Sequence, residues 1–256
     1  MPEIHSTAVV DPSASIAEEA IIGPYCVVGP RVVLGRGVRL ISHVVVDGLT
    51  TVGDGCTLYP FVSVGLQTQD LKFKGGSPGV VIGSHTTLRE SVTVHAATYD
   101  GGVTTVGDHC HIMAYAHIAH DCHVGDRVIM ANAATLAGHV VVEEQSIIGG
   151  LCGVHQFVRI GRLSITGGCS KVVKDVPPFM MADGNPLSVH TINKVGLERA
   201  GVSESTQQTL RDAFKLLYRK NLTTQAALAE MAELPAGPEL EQLMAFVRAS
   251  ERGITR

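Results

Sequence analysis

Counting from Ile4 in steps of six, every position up to Val64 is aliphatic: Val10, Ile16, Ile22, Val28, Leu34, Leu40, Val46, Val52 and Leu58 lie between them. The count resumes at Ile82, Leu88 and Val94, and again from Val106 through Ile118, Leu136 and Val154 to Ile160. A second column two places earlier holds smaller residues, among them Ala8, Ala14, Ala20, Cys26, Val44 and Cys56. A six-residue period with two inward positions predicts a parallel β-helix, three repeats to a coil. Residues three repeats apart in an unbroken stretch then stack at the inter-strand spacing, roughly 4.8 Å. Glycine often follows the aliphatic, as at Gly23, Gly53 and Gly107. Those glycines are expected to turn the corners, because glycine takes positive φ without a Cβ penalty.

Two stretches break the count. Residues 66–81 and 96–104 cannot keep the inward pattern and are expected to leave the prism as loops, where function is often carried. The repeat frays after Gly161, and Pro177-Pro178 reads as its end. After Pro186 the spacing turns helical. Ser203 or Ser205 is expected to cap a helix running to about Arg219, Thr223 or Thr224 a second ending before Pro235, and a third spans about 238–250. The predicted organisation is mainly β: a parallel β-helix over 1–186 and a C-terminal α-helical domain over 187–256.

Composition agrees with a stacked aliphatic core, since 45% of the 256 residues are hydrophobic and 4% aromatic. Five of the six cysteines (Cys26, Cys56, Cys110, Cys122 and Cys152) fall in the small inward column, which predicts buried thiols in a reducing compartment. No N-terminal leader pattern or membrane-length apolar run is present, so a cytoplasmic protein without stable membrane insertion is expected. A net charge of −4 argues against a general nucleic-acid binder.

Chemistry gathers on one outward wall. With Ala116, Ile118 and Cys122 inward, His117, His120 and Asp121 point out, and one coil beyond His120 and Asp121 stand Gly138 and His139. One coil beyond Gly138 stands Gln156, about 9.5 Å from His120 with bare backbone between. A neutral imidazole there could take a proton from an attacking hydroxyl or amine. Asp121 would orient it, and the Gly138 N–H would receive an oxyanion, a contribution of about 3 kcal/mol. Two other uses fit the same residues: packing of a subunit interface, and ligation of zinc by histidines from neighbouring faces. A flat wall needs a partner to close a cleft, and a trimer about a parallel axis would supply one.

The runs Gln69-Asp70-Leu71-Lys72, His117 to Cys122, Leu136-Ala137-Gly138-His139, Val154-His155-Gln156-Phe157, Asp175-Val176-Pro177-Pro178 and Gly184-Asn185-Pro186 resemble the UDP-N-acetylglucosamine acyltransferases, which begin lipid A synthesis in Gram-negative bacteria. The resemblance covers nearly the whole chain. It implies a left-handed winding and a cytoplasmic homotrimer that moves an R-3-hydroxyacyl chain from acyl carrier protein to the glucosamine 3-position. It implies no metal and no cofactor beyond the donor's own phosphopantetheine. By motif, His120 resembles the general base and Gly138 the oxyanion donor. Asp70 and Lys72 would hold the sugar nucleotide from the neighbouring chain's loop, and His95, His117, His139, His155 and Gln156 would line the cleft. Asn193 and Arg199 resemble nucleotide contacts, and Gly168 falls where the family sets acyl length.

Val195 and Ala200 stand where many members have glutamate and arginine, a pattern closer to members that accept a 3-amino sugar and form an amide. The carrier protein is acidic as a class, and Arg211, Lys215 and Arg219, spaced by four on one helix side, offer a docking face for it. A coenzyme A-dependent acetyltransferase on the same prism, a metal-dependent hydratase and a non-catalytic trimeric scaffold are the rival readings.

Overall fold

A computed structural model describes residues 1–256. Short strands, mostly of two residues, stack into three sheets of eleven, nine and eight strands that form the walls of a prism. The pairing follows the period: Ile118 lies beside Leu136 and Leu136 beside Val154, three repeats on each time. Where loops intervene the step lengthens, to five repeats from Leu58 to Leu88 and four from Leu88 to Ile112. The aliphatic column fills the interior, with Leu34, Leu58, Leu88, Ile118 and Leu136 fully buried. Ile4 keeps the period yet stays exposed, because it begins the terminal coil. The five inward cysteines are buried free thiols, and burial pushes Cys122 up to about 12; Cys169 is exposed.

The corners differ from the expectation. Left-handed φ falls three residues before most of the aliphatics, and mostly on side-chain-bearing residues such as Tyr25, His43, Phe61, Tyr115, Asp121, His139 and Phe157. Each costs on the order of 1 kcal/mol. Stacking between coils offsets this, with ring centroids 5.0 Å apart for Tyr25 and His43, 5.1 Å for His43 and Phe61, and 4.6 Å for His139 and Phe157. The glycines after the aliphatic answer a different need. A Cβ on Gly23 would collide with the Ile41 carbonyl oxygen of the next coil, and one on Gly107 with Asp126. Gly65, at φ +82°, is an exception that does turn left-handed.

The loops occupy narrower spans than their sequence breaks, 67–78 and 96–102, because Gly79–Ile82 and Val103–Val106 are strands of the third sheet. Pro177-Pro178 does not end the prism. Val176 still bridges Ile160, and Met180–Asp183 pairs in parallel with Ile165 and Thr166. Ser188–Ile192 then returns antiparallel, so the first sheet runs past residue 186, and Asn185-Pro186 lies in the hairpin turn. Helices follow: α1 (Lys194–Arg199), α2 (Glu204–Tyr218), α3 (Thr224–Met231) and α4 (Pro238–Arg248). The Ser203 and Thr223 hydroxyls cap α2 and α3, and α2 buries Leu210, Phe214 and Leu217. The last residues return to the prism. Asp175, 1% exposed, accepts from the Arg159 N–H (2.8 Å) and the Ser250 hydroxyl (2.7 Å), and its own N–H donates to the Gly253 carbonyl (3.1 Å). No helix is long and apolar enough to cross a membrane.

Candidate active site

His120 follows the strand His117–Ile118 at a corner, and the left-handed Asp121 (φ 58°) turns its carboxylate back beneath the imidazole. The Asp121 N–H donates to the Thr104 hydroxyl (2.9 Å), which fixes that turn. His120 Nδ1 lies 2.8 Å from Asp121 Oδ2. An ionised carboxylate only accepts, so Nδ1 carries the proton and Nε2 of the neutral ring keeps its lone pair. Nε2 faces Asp70, whose Oδ2 is 3.9 Å away. Below the ring, a Cβ on Gly138 would collide with the imidazole, so the seat of His120 requires glycine there. The Gly138 N–H has no acceptor in the chain.

A cleft of about 500 Å³ opens beside this pair, lined among others by Asp70, Lys72, His95, His117, His120 and Gln156. Asp70 is held by its own loop: its N–H donates to Thr68 Oγ1 (3.0 Å) and its carboxylate accepts from the Lys72 N–H (2.9 Å). Asp70 therefore reaches His120 of the same chain, not that of a neighbour as the resemblance implied; the six-residue period says nothing of which way an ejected loop folds. His117 hydrogen-bonds Thr93 Oγ1 (2.7 Å) and meets the His95 ring edge-on at 4.9 Å. Burial first, then the neighbouring His95 and His120, pushes His117 down to about 4. His95 is lowered too, by burial and then by His120. Both rings are neutral near pH 7.

His139 meets His120 edge-on at 5.2 Å and brings Nε2 to 3.8 Å from Asp121 Oδ2. It also lines an adjoining cavity of about 630 Å³ with Phe157, Arg159, Asp175 and Arg252. His155 is not among the cleft-lining residues. It is exposed, with Nδ1 3.3 Å from the Arg252 guanidinium.

The remaining candidates lie on other faces. Gly168 stacks over Gly150, in a corner column separate from that of His120, Gly138 and Gln156. Asn193 and Arg199 line a groove of about 320 Å³ on the first sheet, against Ile129, Ile147 and Ile165. The Asn193 amide is occupied at both ends, accepting from the Gly196 N–H (3.0 Å) and donating to the Leu163 carbonyl (2.8 Å), which makes it the cap of α1. On α2, Lys215 pairs with Asp212 (2.8 Å) and Arg211 donates to Gln208 (3.0 Å), while Arg219, at the C-cap just beyond the helix, folds back to the His190 carbonyl (3.3 Å) and the Phe214 ring.

Sequence reasoning missed Thr98. This residue of the second loop is 2% exposed, with Oγ1 2.8 Å from His120 Nδ1 and its N–H donating to Asp121 Oδ2 (3.1 Å). Its only signal was membership of the loop that interrupts the count after His95.

Hexapeptide coils that seat an imidazole–carboxylate pair over bare backbone, beside an open cleft, define a hexapeptide-repeat transferase. Residues 104–138 match the family described as "Bacterial transferase hexapeptide (six repeats)", and residues 175–255 match "Udp N-acetylglucosamine O-acyltransferase; Domain 2". Over the full length of both chains, the protein is 50% identical to the acyl-[acyl-carrier-protein]–UDP-N-acetylglucosamine O-acyltransferase of Thermodesulfovibrio yellowstonii and 46% identical to that of Verminephrobacter eiseniae. The LpxA structure from Acinetobacter baumannii superposes with a TM-score of 0.95 at 45% identity, covering 99% of each chain. The chain belongs to the acyl-[acyl-carrier-protein]–UDP-N-acetylglucosamine O-acyltransferase family and has its left-handed parallel β-helix.

Proposed function

We propose that the protein transfers an R-3-hydroxyacyl group from acyl carrier protein to the 3-hydroxyl of UDP-N-acetylglucosamine, the first step of lipid A synthesis. Relatives named for this activity, alike over the whole chain, support the reading. The observation that carries it is the His120–Asp121 pair, its Nε2 open to a cleft shared with Asp70 and Gln156. A sugar hydroxyl lying between Asp70 and Nε2 gives its proton to Nε2 as the oxygen attacks the thioester carbonyl. Asp121 stabilises the resulting imidazolium, and the Gly138 N–H receives the oxyanion. Collapse expels the phosphopantetheine thiol, which takes the proton back from His120. His95 and His117 remain neutral wall, and Lys72 lies beside Asp70 as a cation for phosphate. The chemistry calls for no metal or added cofactor, and a carrier-protein donor with a nucleotide sugar sets it in the cytoplasm.

A homotrimer fits the division of candidates between faces. Gly168, Arg199 and α1, which Asn193 positions, lie away from the His120 cleft of their own chain, and a side-by-side neighbour would bring them to it. The exposed corner residues Tyr25, Phe61, Tyr115 and Leu151 offer the apolar surface such packing covers. The alternative acceptor is the 3-amino sugar, favoured by exposed Val195: no carboxylate lines that groove with Arg199, since Glu198 of α1 is not among the lining residues. Mass spectrometry of products from UDP-N-acetylglucosamine and its 3-amino analogue, each offered with a panel of acyl carrier thioesters, tests both. An ester product that is lost in His120→Ala is expected. Amide alone would establish the alternative, and turnover with acetyl-coenzyme A alone would overturn both.

A further inference from the structure

Two imidazoles converge on one carboxylate at this corner. His120 Nδ1 is 2.8 Å and His139 Nε2 3.8 Å from Asp121 Oδ2, and donor atoms of the three residues all lie within 4.8 Å of one another. A tetrahedral zinc ion, with bonds of about 2.0–2.2 Å to nitrogen and oxygen, sets its ligands roughly 3.3–3.6 Å apart, so on binding Nδ1 would part from Oδ2 by about half an ångström and the His139 ring would close in by a few tenths. Two nitrogens and one oxygen suit zinc and its neighbours in the transition series better than magnesium or calcium. The Thr98 N–H holds the carboxylate oxygen (3.1 Å), as supporting hydrogen bonds do for metal-ligating carboxylates. All three side chains are partly exposed, so an ion has an entry path.

We propose that His120, Asp121 and His139 form an inhibitory site for zinc-class divalent ions. The coupling to activity rests on the reading of His120 as base; the binding does not. A metal takes the Nδ1 lone pair, so the proton that Nδ1 shared with Asp121 must move to Nε2. The imidazole then presents N–H to the cleft where the acceptor hydroxyl needs a lone pair, and Asp121 is drawn off to the ion. Occupancy and base function therefore exclude each other through the tautomer of one ring.

The test uses the full chain, stripped with a chelator and titrated with zinc chloride by calorimetry, with no acyl donor or acceptor present. One zinc per chain is expected. Asp121→Asn and His139→Gln should each weaken it at least about tenfold, while His5→Gln, on the exposed N-terminal strand region, leaves it intact. Cobalt(II) should give the visible bands of a tetrahedral site. Nitrogen-15 histidine spectra of the unsubstituted protein should show zinc on Nδ1 of His120 and Nε2 of His139, a readout independent of how the variants fold. Acyl transfer should fall as zinc fills the site and return with chelator. Absence of stoichiometric binding, or binding undiminished in both site variants, overturns the proposal. Full occupancy with undiminished transfer overturns its inhibitory half.

Discussion

Replacing Gly138 with alanine tests how the base is seated. The new Cβ would overlap Cε1 and Nε2 of His120 and stand 3.0 Å from its Nδ1, so the whole ring is displaced rather than one edge. Gly138 has no positive φ, so alanine meets no backbone objection, and the perturbation is confined to the collision. The imidazole must leave by about an ångström, giving up its 2.8 Å contacts to Asp121 and Thr98. A misplacement of that size costs on the order of 10²-fold in rate, which corresponds to about 2.7 kcal/mol of transition-state stabilisation. The Tm should move little, since the ring can swing into the open cleft. Gly153→Ala, which meets nothing within 4 Å, serves as control and should keep full activity. Steady-state kinetics of both variants with the acyl carrier thioester are decisive. A Gly138→Ala enzyme retaining more than about a third of wild-type kcat, where about 1% is expected, would refute the placement of His120 over bare backbone as the working geometry.

Thr98→Val removes the hydroxyl from Nδ1 and should lower kcat about tenfold, with an altered pH profile that Thr98→Ser restores; an unchanged profile would leave Thr98 a loop anchor only. His117, held neutral down to about 4 against about 6.5 in the unfolded chain, makes the unfolded state bind more protons between those values. Its contribution is therefore complete above pH 6.5 and is lost as pH falls toward 4, on the order of 3 kcal/mol. Denaturant titrations of His117→Gln should show a flatter acid limb than wild type; equal slopes would count against it. Reversing Arg211, Lys215 and Arg219 together to glutamate should raise KM for acyl carrier protein while the oligomer persists; an unchanged KM removes the docking face.

The prism was legible because burial imposes a period that survives in the letters. The same count put His120, Gly138 and Gln156 in one corner column, and the structure gives His120 and Gln156 a common cleft. What the count could not supply lay where the period lapses. Asp70 and Thr98 sit on ejected loops whose direction depends on hydrogen bonds to Thr68 and Asp121, and no spacing announces these. The corner glycines were misread because clearance from the next coil and left-handed φ both favour glycine. Helix α1 spans Lys194–Arg199, too short for a helical period to show, and its Asn193 cap is recognisable as structural only once the Leu163 carbonyl lies beside it.

The looped coils, from Leu58 to Leu88 and from Leu88 to Ile112, are longer than the plain coil from Ile118 to Leu136 by two repeats and by one, with no remainder. Whole repeats are thus the unit in which this architecture can lengthen a coil. Adding a single amino acid on a wall would turn every later side chain inside out, burying imidazoles and exposing leucines. Adding a full hexapeptide leaves the far end in phase. New segments can therefore arise over the cleft without disturbing the seam beneath, so the covering of the site is free to diverge while its floor is not.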